Sequence, residues 1–199
     1  QVSSAADNPA IYALAQQQRA ELASIEPVQQ GLRVGQSAVD VALAAGESIS
    51  DVLVQMKAVA SQAADTSLTS QQRSVLSQQF ASLRDQITRL VDSADVGGRN
   101  LLANGAGDLT VIASTDGTQS ITIAAQDLSV GGGIVNVATG GDPLTDAATA
   151  QAQITAVGAA IDHVLGERKR QISGQMNGRL VQRERRRAVW LDRVEIALD

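Results

Sequence analysis

His163 is the first residue to ask about, because imidazole is the side chain that most readily moves a proton or binds zinc near neutral pH. The chain has 1 His and 0 Cys. A Ser-His-Asp relay needs partners placed around its His, and a His-based zinc site needs further His or Cys ligands; neither set can be assembled here. His163 is therefore read as a residue on a helix surface or edge. The glycine runs "GGGIVN" and "GAG" have no Lys-Ser/Thr behind them and no strand-to-helix setting, so they read as turn glycines and not as a phosphate cradle. Carboxylates lie along helical stretches with counter-charges three or four residues away, as with Asp85 and Arg89, which suits solvated faces better than an acid/base pair. No catalytic or metal-binding constellation emerges, and no cofactor is expected.

Charge is divided unevenly along the 199 residues. Residues 1–166 carry 7 Lys/Arg against 16 Asp/Glu, and residues 167–199 carry 9 against 5. An acidic body argues against nucleic-acid binding. The basic stretch "ERKRQISGQMNGRLVQRERRR" contains Glu184 and meets no aromatic before Trp190, so it reads as a solvated helix face. No window is long and apolar enough to span a membrane, and no basic-then-apolar leader precedes the first helix, so the chain reads as soluble with no membrane insertion. The lack of cysteine also suits a protein that leaves a reducing cytosol without oxidative folding.

Aromatics set the first constraint on the elements. With 1 Phe, 1 Tyr and 1 Trp, the chain cannot fill a thick core, whereas Ala, Val, Leu and Ile suit thin layers of closely spaced helices. Ile25, Leu32, Val39, Gly46, Leu53 and Ala60 recur every seven residues, as do Val28, Gly35, Ala42, Ile49, Met56 and Ala63. These are the two seam positions of a heptad, and Ile25, Leu32, Val39, Ala42, Ile49, Leu53, Met56 and Ala60 are the expected packing residues. Asp7 or Asn8 can cap the helix, with Pro9 at its first position. A helix from Pro9 to about Ala64 measures roughly 80 Å, twice the diameter of a compact globule of this size. The molecule is thus expected to be a rod, with a kink at Pro27.

A second helix follows Thr69, whose pairing with Gln72 fits a capping box, and Leu76, Phe80, Leu83, Ile87, Leu90 and Ala94 form its buried stripe. It should end before Gly97 and Gly98. In "DLTVIASTDGTQSITIAAQDL" two β-prone runs, Leu109 to Ala113 and Ser120 to Ala124, flank Asp116-Gly117, residues suited to a tight hairpin turn. "SVGGGIVNVATGGD" suggests a short extra strand. Helix resumes at Asp142 or Thr145, with Ile154, Val157, Ile161, Val164, Leu165, Ile172 and Met176 as its stripe. Gly158, Gly166 and Gly174 within it imply close packing on the first helix. The fold class expected is mainly α with a small β region, an elongated helical-bundle rod. Its parts are residues 1–104, helical; 105–141, β-hairpin and glycine-rich; 142–180, the C-terminal core helix; and 181–199, a basic tail.

Four stretches in order, "SSAADNPA", "QSAVDVALAAGESISDVLVQMKAVASQAAD", "DSADVGGRNLLANG" and "DPLTDAATAQAQITAVGAAID", resemble the core of bacterial flagellins over roughly residues 3–177. "IYALAQQQRA" and "DVALAAG" are most similar to the alphaproteobacterial type. The resemblance implies a secreted structural subunit of the extracellular flagellar filament, serving motility, whose rods pack side by side. Its implied partners are other flagellin subunits, with hook-associated and cap proteins. Family members carry N- and C-terminal helices that line an inner tube, so Gln1 is expected to lie at a boundary just upstream of the core helix. Residues after about Gly178, "RLVQRERRRAVWLDRVEIALD", depart from the family pattern, and no role is carried onto them.

The family also implies a surface gripped by a vertebrate Toll-like receptor through an Arg, a Leu and a Glu. Alignment from "LVQMKAVASQAA" brings these to Gln55, Val59 and Gln79, so both charges are lost and weak or no recognition is expected. Two alternatives share parts of this pattern. One is the hook–filament junction protein; the other is a flagellin-like extracellular module binding ligands at the glycine-rich β region. A protease inserted in the variable region would need a His-Glu-x-x-His motif, which is missing.

Overall fold

The computed structural model describes residues 9–166, and all structural statements below concern these. The first element, α1, runs from Pro9 to Ala63 as one continuous helix of 55 residues with Pro27 inside it. Proline removes one backbone hydrogen bond, to the carbonyl four residues earlier. Here both Pro27 and Ala23 are exposed, so water can satisfy the freed carbonyl and the helix is carried through. The Asp7/Asn8 cap lies outside the described residues.

α1 and α2, Ser70–Ser93, are joined by a short turn. Arg73 reaches back from α2, its Nε donating to the Ala63 carbonyl at 3.1 Å and its Nη2 to that of Asp65 at 2.8 Å. A cation thus satisfies carbonyls that a helix end leaves without partners and sits at the negative end of the α1 dipole. At the start of α2 the expected capping box is present: Thr69 Oγ1 accepts from the Gln72 amide at 3.3 Å, and Gln72 Oε1 accepts from the Thr69 amide at 2.9 Å. Phe80, Ile87 and Val91 of α2 are buried, with Leu76, Leu83 and Leu90 packed beside them.

Immediately after α2, where only a helix end was expected, the chain makes a small antiparallel hairpin. β1, Asp95–Val96, pairs with β2, Arg99–Asn100. Gly97 and Gly98 have φ of 62° and 80°, the doubly positive geometry that the tightest hairpins require. The larger hairpin pairs β3, Leu109–Ile112, with β4, Ser120–Ile123, in the expected register region. Its connection is longer than a two-residue turn: Ala113 donates to Gln119 at 2.8 Å and Gly117 to Ser114 at 3.2 Å. The Asp116 side chain organises this loop, accepting from Thr118 at 3.1 Å and from the Ser114 hydroxyl.

The expected extra strand is reduced to one bridge between Val130 and Val135. Three glycines at 131–133 bend the chain there too sharply for a ladder to extend, and Gly131 has φ of 79°. The loop is nonetheless anchored, because Leu128, Val135, Val137 and Leu144 are buried in the main core. Polar ties add to this: Ser77 donates to Asp142, and Arg84 Nη1 to the Ala138 carbonyl at 3.2 Å.

α3, residues 147–166, begins later than expected. Asp142 instead accepts from the Leu144 amide at 3.2 Å, while Asp146 caps the helix, accepting from the Thr149 amide at 2.7 Å as its own amide donates to Thr149 Oγ1 at 3.0 Å. Val157 is buried, Ile154, Ile161 and Val164 pack on the core, but Leu165 is 47% exposed. Ile172, Met176 and Gly174 lie outside the described residues. Of the helix glycines, Gly158 faces Lys57 of α1, where a Cβ would meet the amine at 3.6 Å, and Gly166 faces open space. The tight approach is elsewhere. A Cβ on Gly35 would lie 2.8 Å from Val111 Cγ2, so Gly35 forms a notch in α1 that seats β3.

Two apolar clusters hold these pieces together. The larger joins Ile49 to Ala63 of α1 with α2, the loop around Val135 and α3; the smaller joins Ala38, Leu101, Leu109 and Val111. An 80 Å helix carrying its partners along one part of its length is an elongated, mainly helical rod.

Candidate assembly surface

Among the described residues no group of three or more His, Cys, Asp or Glu side chains is placed to hold a metal ion, and no helix is long and apolar enough to cross a membrane. His163 is exposed on α3. Asp85 lies 3.6 Å from Arg84 Nε, its sequence neighbour, and not against Arg89. Three carboxylates are held below the ordinary range, each by local donors. The Ser67 amide does this for Asp65, the Ser114 hydroxyl for Asp116 and the Thr149 amide for Asp146. All three close turns or cap helices.

The seam residues of α1 divide into two groups. Ile49, Leu53, Met56 and Ala60 are each 0% exposed, between α2, α3 and the Val135 loop. Leu32 and Ala42 are half-buried beside the smaller cluster, and Val39 is half-buried but belongs to neither cluster. Ile25 is 38% exposed. Neither cluster includes an α1 residue before Leu32. Stepping back by sevens, Ile11 and Leu14 fall on the two seam positions already occupied by Ile25 and Val28. They are 51% and 56% exposed, and Leu22 on the same stretch is 66% exposed. Gln18 and Glu21 hold the seam positions in between, so the stretch of α1 before Ile25 carries exposed apolar residues on an interrupted heptad pattern.

Fully burying a Leu or Ile side chain stabilises by about 1.5–3 kcal/mol, so covering the exposed half of each would yield about 1 kcal/mol. Apolar residues left on one face of a helix at seam spacing mark a contact surface. Near the middle of α1 this face runs into a cavity of about 80 Å³, lined by Val39, Leu43 and Gly46 with Leu101, Ile134 and Val164. Of the positions aligned with the receptor contacts, Gln55 and Gln79 are exposed, but Val59 is only 4% exposed and packs in the main core. Sequence periodicity assigned the seam; it did not find the Gly35 notch, the Arg73 tie or the Gly97-Gly98 hairpin. For the last, the signal was available in "DVGGRN", where paired glycines flanked by turn-tolerant residues suit a two-residue loop.

Residues 1–107 match the family described as the bacterial flagellin N-terminal helical region. Flagellin FljK of Caulobacter vibrioides is 38% identical over 161 residues, which is 80% of this chain and 57% of that protein. Flagellin A of Rhizobium meliloti is 29% identical over 147 residues, covering 71% of this chain and 36% of the relative. The chain thus spans 57% and 36% of the length of these two relatives. The crystal structure of Bacillus cereus flagellin superposes with a TM-score of 0.58 at 26% identity, covering 71% of this chain and 81% of that one. With a family match over more than half its residues and the same fold as a solved member, the chain belongs to the bacterial flagellins.

Proposed function

We propose that the protein is a secreted structural subunit of the extracellular flagellar filament, assembling with other flagellin subunits for motility and carrying out no catalysis. One observation carries the reading beyond family membership. α1 exposes Ile11, Leu14, Leu22 and Ile25 on one side of its first part, and Ile11, Leu14 and Ile25 stand at positions of the heptad whose later members are buried. A chain whose own described elements leave this face uncovered gains about 1 kcal/mol per residue when packing partners supply the missing side. Side-by-side packing of rods in a filament provides such partners, and hook-associated and cap proteins would meet the same rods at the filament ends. Expression in cells of a motile species that have lost their own flagellins tests the proposal. Filaments decorated by an antibody to this protein, with restored swimming, are expected; cells that secrete the protein yet bear no filament would contradict it.

The receptor reading concerns other residues, in the last part of α1 and in α2. Gln55 and Gln79 offer neither a cationic fork nor a carboxylate, and Val59 is buried, so recognition by the flagellin-sensing Toll-like receptor is proposed to be weak. Losing such contacts at an interface centre costs about 2 kcal/mol or more each. A reporter-cell assay on purified protein should show poor signalling, and potent signalling would refute the alignment.

A further inference from the structure

We infer that the Asn104–Gly105 peptide is a site of spontaneous deamidation, giving a mixture of aspartate and isoaspartate at position 104. The turn that links β2 to β3 presents this peptide. Ala106 donates to the Ala103 carbonyl at 3.2 Å, which places Asn104 and Gly105 at the two central positions of the turn. Asn104 is exposed, and its amide forms no side-chain hydrogen bond among the described residues. Gly105 has φ of 70°, and a Cβ built on it would meet nothing within 4 Å. The side of Gly105 where a side chain would stand is open, so no bulk from its own residue crowds the attacking nitrogen, and the backbone is in a conformation that only glycine adopts freely.

The reaction uses only hydroxide and water. Hydroxide removes the Gly105 amide proton, and the nitrogen attacks Asn104 Cγ. The N–Cγ bond forms, the Cγ–Nδ2 bond breaks, and ammonia leaves, closing a five-membered imide. Water then opens the imide at one of its two carbonyl carbons. Attack at Cγ gives aspartate with the main chain as before; attack at the main-chain carbon gives isoaspartate, which routes the backbone through the side chain and lengthens it by one methylene. Either product adds a negative charge four residues before Asp108, in the link that spaces the two hairpins.

Two other asparagines serve as controls within the same fold. Asn100 is held at both ends, Nδ2 donating to the Val91 carbonyl at 2.6 Å and Oδ1 accepting from the Leu102 amide at 2.8 Å. Asn136 is exposed, but its following residue is the β-branched Val137, 2% exposed, whose bulk crowds the attacking nitrogen.

The test is to hold the full chain in mildly alkaline and mildly acidic buffer and follow it by peptide mapping after cleavage before aspartate. Residues 95–107 and 127–141 are released separately, and Asn177–Gly178 falls in a third peptide. Asn104 is expected to convert severalfold faster than Asn136 and Asn100, faster in alkali, with part of the product newly cleaved before residue 104 and the rest methylated by protein-isoaspartate methyltransferase. Asn104→Gln should remove both signals while melting as the wild type does, and Gly105→Ala should slow conversion severalfold. Conversion of Asn136 at an equal or greater rate, or an unchanged Asn104 after prolonged alkaline incubation, would overturn the inference.

Discussion

Asp146 is where a single carboxylate has the clearest energetic consequence. Its charge accepts from the Thr149 amide at the start of α3, which lowers its pKa below the ordinary 3.8. A group whose folded pKa is depressed contributes stability that is fully present above the unfolded value and is lost as pH falls through the folded one. Asp146→Asn should therefore lower the melting temperature at neutral pH, and its gap from wild type should close below about pH 4. Calorimetry across this range checks it; a gap that widens in acid would contradict the assignment of Asp146 as the cap. Asp65 and Asp116 act in the same direction, through Ser67 and Ser114. At the other helix start, Thr69→Ala removes the acceptor for Gln72 and should cost about 1 kcal/mol in urea unfolding.

At the scale of elements, the two glycines of α1 at positions 35 and 46 separate packing from propensity. Alanine favours a helix interior over glycine by about 1 kcal/mol. At Gly46 an added Cβ meets nothing within 4 Å, so Gly46→Ala should stabilise by about 0.5–1 kcal/mol. At Gly35 the same methyl would lie 2.8 Å from a methyl of Val111, whose β-branched side chain has little freedom to move aside, so Gly35→Ala should destabilise. Thermal unfolding of both variants is the check, and stabilisation by Gly35→Ala would mean that the hairpin does not seat in the notch. The seam itself is tested by Leu53→Ala, at 0% exposure expected to cost about 2–5 kcal/mol, against Asp40→Ala on the exposed face, expected to cost far less. The sequence made these helices legible because seven-residue spacing and the Thr69/Gln72 pair are local signals. The Gly35 notch was not legible: its partner Val111 is distant in sequence, and nothing local distinguishes a glycine that seats a strand from Gly46, which seats none. The start of α3 was misplaced for a similar reason, since Asp142 and Asp146 are both plausible caps until Ser77 of α2 is seen to engage the first.

For the whole molecule, the decisive contrast lies along α1 between a buried length, from Ile49 to Ala63, and an earlier stretch whose Leu14, Leu22 and Ile25 are left exposed by the described elements. The heptad pattern was legible from Ile25 to Ala63, yet sequence alone could not separate the part that the described elements bury from the part that they leave exposed. From that separation we propose that the folding surface and an assembly surface occupy successive lengths of α1. Electron microscopy of filaments from cells whose only flagellin is this protein, carrying Leu14→Asp with Ile25→Asp, tests it most directly when paired with the variant's melting temperature. The expected result is a folded, secreted protein that melts within a few degrees of wild type and forms short filaments or none. Filaments of normal length and number from that variant would contradict the claim.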